Sequence, residues 1–139
     1  MILCSYILWF VIYSVIGWLF EVTYCALLAR QFVSRGFLYG PYCPVYGAGA
    51  MANLLILGTV QNPFALFFLS ALVCGCLEYA TAWALEKLFH AKWWDYSNMR
   101  FNLQGRICLQ GLLLFGFLAV VQLHGIQPWL ASQTARISQ

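Results

Sequence analysis

Glu21 and Glu78 are two of only four acids in a chain of 139 residues that carries seven Lys and Arg. Each lies in a long apolar run, nine residues before a base, Arg30 in one case and Lys87 in the other. At ~1.5 Å of rise per residue, each carboxyl sits about 13 Å along a helix from its base, within the inner half of a bilayer. An ionised carboxylate at that depth is costly unless it faces a cavity or meets a partner, so both acids are candidates for a substrate or ion path, including one that exchanges protons. The opposing reading is a structural clamp, in which Tyr, Trp or backbone donors hold each acid and no solute binds. Arg100 and Arg106 are the candidate cationic partners. Glu86 adjoins Lys87 and reads as an interfacial residue, a structural or docking candidate.

Residues 36–50 carry two prolines and four glycines and lead into an apolar run. A straight helix cannot begin inside such a stretch. Irregular backbone at membrane depth requires surrounding protein or a water-filled cavity, and the helix start that follows offers free N–H groups to an anion. Close helix packing through Gly47 and Gly49 is the alternative. The loop from Trp93 to Arg106 mixes aromatics, amides, one acid and two arginines. There Asp95 is expected to pair with Arg100 or Arg106, or to cap a short helix, with Trp94 at the interface; a docking surface for a cytoplasmic partner is the alternative. Cys74 and Cys76 point about 200° apart on a helix and have no histidine nearby, so no metal site is expected. His90 and His124 fall near opposite faces. No G-x-x-x-x-G-K run and no nucleophile–base constellation occurs in the sequence, so neither a catalytic residue nor a cofactor is expected, and the chain reads as a non-enzyme.

The elements that position these residues follow from composition. With 63% hydrophobic and 8% charged residues, the chain cannot cover itself with water-compatible surface, so the bilayer is its solvent. Lipid offers no hydrogen-bond partners, and long apolar runs without period-two alternation favour helices over a barrel. An all-α membrane domain is expected over 1–139, with four transmembrane helices at about 2–29, 46–60, 63–86 and 107–123 and an interfacial segment before the fourth. The first run is expected to be retained rather than cleaved, because no basic region precedes it and no small-residue cleavage site follows. Gln61-Asn62-Pro63 supplies the break between the second and third crossings.

Arg30 and Arg35 lie in the first loop, and Lys87, Lys92, Arg100 and Arg106 lie in the loop after the third helix. Four crossings put both loops on one side, which the positive-inside rule makes cytoplasmic, with both termini outside. A formal charge of +3 in such clusters does not suit nucleic acid. The cysteines fall in or beside apolar runs and read as reduced thiols. Self-comparison at an offset of 57 residues pairs Glu21 with Glu78, Arg30 with Lys87, Phe32 with Phe89, Arg35 with Lys92 and Tyr39 with Tyr96. Two parallel two-helix repeats are expected from this, with sites at the repeat interface.

The runs Tyr13-Ser-Val-Ile-Gly-Trp-Leu-Phe-Glu21, Arg35-Gly-Phe-Leu-Tyr-Gly-Pro-Tyr-Cys-Pro-Val-Tyr-Gly47, Leu77-Glu-Tyr79, Trp94-Asp-Tyr-Ser97 and Phe101-Asn-Leu-Gln-Gly-Arg-Ile-Cys108 occur in this order. The chain thereby resembles the type IV ABC-transporter permease family of bacteria over almost its whole length; only the tail after Pro128 is generic. Its motifs fall on Glu21, Gly40, Pro41, Pro44, Tyr46, Gly47, Glu78, Asp95, Asn102 and Arg106. The resemblance implies a permease subunit that moves an unidentified small solute, partnered by a cytoplasmic ATPase. Four crossings are few for a permease, so a homo-oligomer is expected too. An ion- or proton-coupled exporter or channel acting as a dimer, and a non-catalytic scaffold, remain as alternatives.

Overall fold

The computed structural model describes residues 2–30 and 43–137. Gly40, Pro41, Arg35 and Tyr39 lie outside the described residues. The chain is helical, with α1 at Ile2–Ala29, α2 at Pro44–Leu57, α3 at Pro63–Phe89, α4 at Leu109–Val121 and α5 at Gln127–Ile137. A hairpin of two short strands, β1 at Asn102–Leu103 and β2 at Ile107–Cys108, precedes α4.

Three helical stretches are long and apolar enough to cross a membrane: Ile2–Leu27, Pro63–Phe89 and Leu109–Ile137. The 28 residues of α1 rise about 42 Å, more than the ~30 Å of bilayer hydrocarbon. The 14 residues of α2 rise only about 21 Å, so α2 is the short member of the set. Large apolar side chains such as Phe64, Phe68, Leu72 and Phe117 stand exposed along α3 and α4, an arrangement that lipid tails solvate and water does not.

Helix ends follow local chemistry. Asn62 accepts hydrogen bonds from the N–H groups of Phe64 (2.9 Å) and Ala65 (3.4 Å), and Pro63 opens α3 where no N–H is needed. His90 closes that helix with φ of 54°. The thiol of Cys108 accepts from Gly111 N–H at 3.4 Å and caps α4. The fourth crossing, expected from the sequence to end near residue 123, instead runs on to Ile137. A π-helical turn at Gln122–Ile126 makes this possible: Gln127 N–H reaches back to Gln122 O, and Pro128 follows without interrupting the helix.

The chain divides into two compact units, residues up to Met51 and residues 52–137. In the first, α1 meets the start of α2 at two glycines. A Cβ on Gly17 would collide with Tyr46, and one on Gly47 would collide with the Ser14 hydroxyl and come within 2.8 Å of Phe10 O. Cys43 N–H donates to Ser14 O at 3.0 Å, which fixes the entry to α2. In the second unit, α3 and α4 run antiparallel, with Gly75 against Leu112 and Gly116 against Phe67. Such close approach maximises dispersion contact where no hydrophobic drive separates protein from lipid.

A Cβ on Gly116 would lie 2.7 Å from the Phe67 carbonyl, a backbone atom that cannot yield. Gly116→Val should destabilise the chain by about 1–3 kcal/mol in mixed-micelle unfolding, while Phe117→Val on the exposed face should cost less than half of that. Equal costs would show that α3 and α4 do not approach at Gly116.

Candidate functional site

In the first unit, Gly17 and Glu21 stand one turn apart on α1 and both meet Tyr46. The missing side chain at Gly17 gives the Tyr46 ring its place. The Tyr46 hydroxyl then donates to Glu21 Oε2 at 2.5 Å. Pro44 begins α2 two residues earlier, while Gly47, the residue after Tyr46, packs against Ser14 and Phe10 rather than against the acid.

The second unit builds a similar pair with different parts. Glu78 lies on the buried face of α3, only 7% exposed, and its Oε1 accepts from the Tyr96 hydroxyl at 2.9 Å. Tyr96 comes from the loop, so its position depends on how residues 90–108 fold. The hairpin turn supplies that fold. Between the paired Leu103 and Ile107, Gln104 and Gly105 both have positive φ, 55° and 71°, as the central residues of a type I′ turn require, and Arg106 N–H donates to Leu103 O at 3.0 Å. Tyr96 N–H donates to Gly105 O at 2.8 Å, so the turn directly holds the residue that reaches Glu78.

The polar residues of this loop brace it. Asn102 accepts from Gly105 N–H (3.1 Å) through Oδ1 and donates through Nδ2 to Met99 O (2.8 Å). Trp94 Nε1 donates to Arg106 O at 3.0 Å. Asp95 Oδ1 accepts from the Ser97 N–H at 3.0 Å and its hydroxyl at 2.5 Å, with Lys92 Nζ at 4.0 Å. These Ser97 bonds, helped by Lys92, hold the Asp95 carboxyl below its ordinary range. A Cβ on Gly105 would strike the Asp95 carboxyl, so only glycine fits both the turn and the space beneath it.

Arg106 fastens the loop to α3. Its Nη2 and Nε donate to Glu86 Oε2 at 2.8 and 3.3 Å, and its Nη1 donates to Tyr79 OH at 2.7 Å and to Gln104 Oε1 at 2.6 Å. Its guanidinium carbon also lies 4.9 Å from the centre of the Tyr79 ring. Glu86 first, and Tyr79 after it, hold the guanidinium protonated to higher pH than usual.

The expected partnerships are therefore redistributed. Arg106 goes to Glu86 and not to Glu21, Glu78 or Asp95, because the type I′ turn places it beside the last turns of α3. Arg100 is exposed and makes no ion pair among the described residues, so it partners neither Asp95 nor the intramembrane acids. Asp95 binds the next turn of its own loop instead of capping a helix. Sequence reasoning gave no role to Tyr79 and Gln104, although Tyr79 adjoins Glu78. It also passed over Asn53, whose Nδ2 donates to Cys74 Sγ at 3.4 Å. The available signal was the recurrence of Ser70, Cys74 and Glu78 every fourth residue on an apolar helix. Among the described residues no group of three His, Cys, Asp or Glu side chains is placed to hold a metal ion.

Arg106→Gln should raise amide exchange across residues 94–108 by roughly tenfold, because the loop then loses its charge-assisted bonds to α3. The Asp95 contribution has its own pH window. Its folded pKa is lower than its unfolded one, so the stabilisation is complete above the ordinary Asp value and disappears as pH falls through the folded value. Exchange corrected for intrinsic rate should stay flat from neutrality to about pH 5 and rise below about pH 4, and Asp95→Asn should flatten that rise.

No curated protein and no solved structure is recognisably similar to the chain. A family model does match, over residues 8–139, a span that includes both acid–phenol pairs and the braced loop. The chain thus belongs to the membrane family described as "Putative ABC-transporter type IV".

Proposed function

We propose that the chain is the permease subunit of an ATP-driven transporter in a bacterial cell membrane, moving a small solute. The observation that carries this reading is the pair of intramembrane acids, Glu21 and Glu78, each held by a tyrosine hydroxyl, Tyr46 at the glycine contact of α1 with α2 and Tyr96 from the braced loop. Acids kept at such depth are costly and serve solute or ion paths more readily than they serve packing. Family membership supports ATP as the energy source, and the sequence has no phosphate-binding G-x-x-x-x-G-K loop of its own. A separate cytoplasmic ATPase then drives the transporter, the chain itself is not an enzyme, and a homo-oligomer provides enough helices to enclose a path.

In this reading the short α2 crosses as well, which makes four crossings, puts both termini outside and turns the Arg106 loop toward the cytoplasm. The two helix pairs form parallel repeats. The matched Glu21 and Glu78 support this. Pro44, Tyr46 and Gly47 belong to the path in the first half, and Asn102 and Arg106 hold its second half in place. Proton coupling without ATP is a second reading, favoured by the same acid–phenol bonds, since a phenol can hold a carboxyl in either protonation state.

Chain purified in mild detergent from its native membranes should bring with it a nucleotide-binding protein in near-equal amount. ATP hydrolysis by that complex should fall roughly tenfold or more when Glu21→Gln and Glu78→Gln are combined. If no ATPase accompanies a well-folded chain in any gentle detergent, the permease reading fails; a proton-gradient-driven flux in its absence would establish the second reading.

A further inference from the structure

The buried face of α3 is not uniformly apolar. Ser70 is 0% exposed and Asn53, facing α3 from the end of α2, is 2% exposed. Asn53 spends its Nδ2 on Cys74 Sγ, while its Oδ1 finds no hydrogen-bond partner among the described residues, and neither does Ser70 Oγ. A buried serine on a helix ordinarily donates to the carbonyl four residues earlier, as Ser14 does to Phe10 O and Thr81 to Leu77 O in this chain. Ser70 does not make that bond. A hydroxyl and an amide oxygen deep in a membrane helix pair, left without protein partners, carry a desolvation cost that a small hydrogen-bonding guest removes.

Ser70, Cys74 and Glu78 recur at four-residue intervals, so they share one face of α3 and cover about 12 Å along it. Asn53 meets that face at its middle residue. The lower end of the same face is the carboxyl that Tyr96 holds. Leu72 and Cys76, by contrast, lie on the exposed flank of α3. We propose that Asn53, Ser70 and Cys74 line a hydrated track that leads from the Glu78–Tyr96 pair into the membrane and takes water and comparably small hydrogen-bond donors.

The track has the chemistry of a relay. Ser70 both donates and accepts, Asn53 offers a carbonyl oxygen, and the Cys74 thiol is a weak donor and acceptor beside them. Water with two to four polar partners is retained in such a place, whereas an apolar cavity stays dry. The track deepens the transport reading by giving it a route within residues 52–137, yet its hydration is tested without any transport, so either can fail alone.

Radiolytic hydroxyl-radical labelling makes the test on the wild-type chain in phosphatidylethanolamine–phosphatidylglycerol vesicles, because the radical forms from water at the site itself. Fragment spectra resolve oxidation at Cys74 from oxidation at Cys76. Cys74 should oxidise at least severalfold faster than Cys76, although Cys76 is the more exposed on the protein surface. Combining Asn53→Leu with Ser70→Ala should bring the Cys74 rate down to that of Cys76. Oxidation of Cys74 no faster than Cys76 in the wild-type chain would overturn the proposal, as would a rate at Cys74 that the double substitution leaves unchanged in a folded variant.

Discussion

A carboxyl group inside a bilayer must be met by a hydrogen-bond donor, because lipid supplies none and water reaches it only where the protein admits water. Glu21 and Glu78 are both met by tyrosine hydroxyls, and much of the local architecture exists to bring those hydroxyls into place. For Glu21 the requirement is a vacant Cβ position at Gly17, which lets the Tyr46 ring lie against α1. For Glu78 it is a folded loop, since Tyr96 lies outside any helix. A type I′ hairpin, an asparagine brace, a tryptophan–carbonyl bond and the Arg106–Glu86 pair all converge on that loop. An arginine as the acid's direct partner would bring a charge of its own into the membrane; a phenol meets the carboxyl with a neutral donor.

The same demand for satisfied polar groups explains how the longest irregular stretch described in the second unit is held. Residues 90–108 have no helix to absorb their N–H and C=O groups, so side chains do it: Asn102, Asp95 and Trp94 each take backbone groups of the loop. Polar residues that would be a liability in lipid thus serve as the loop's internal scaffold. The glycine contacts do the complementary task for the helices, bringing backbones close enough for dispersion to hold them where the hydrophobic effect contributes little.

The membrane class and the long apolar helices were legible, though four crossings were expected and three helical stretches are long enough to cross, and Glu21 and Glu78 stood out because rare charges and long apolar runs are one-dimensional signals. The family was legible for a related reason, as its motifs are short contiguous runs. The partner of each charge was not legible. Arg106 turns to Glu86 because two positive-φ residues reverse the chain before it, and a Gln-Gly pair among many loop residues announces that only weakly. The extension of the last helix to Ile137 escaped notice because Pro128 reads as a stop, while the π turn that accommodates it leaves no compositional trace. Asn53 and Ser70 escaped because single polar residues in apolar runs are common, and only the structure shows that Asn53 Oδ1 and Ser70 Oγ lack partners among the described residues.

The account depends most on the bond between Glu78 and Tyr96, since it joins the intramembrane acid to the loop that everything else braces. A double-mutant cycle with Glu78→Met and Tyr96→Phe, read by mixed-micelle unfolding, measures that bond directly. A coupling of about 1–2 kcal/mol is predicted for a buried carboxyl–phenol pair. Additive losses, with a coupling of less than about 0.3 kcal/mol, would contradict the claim that the phenol holds the acid.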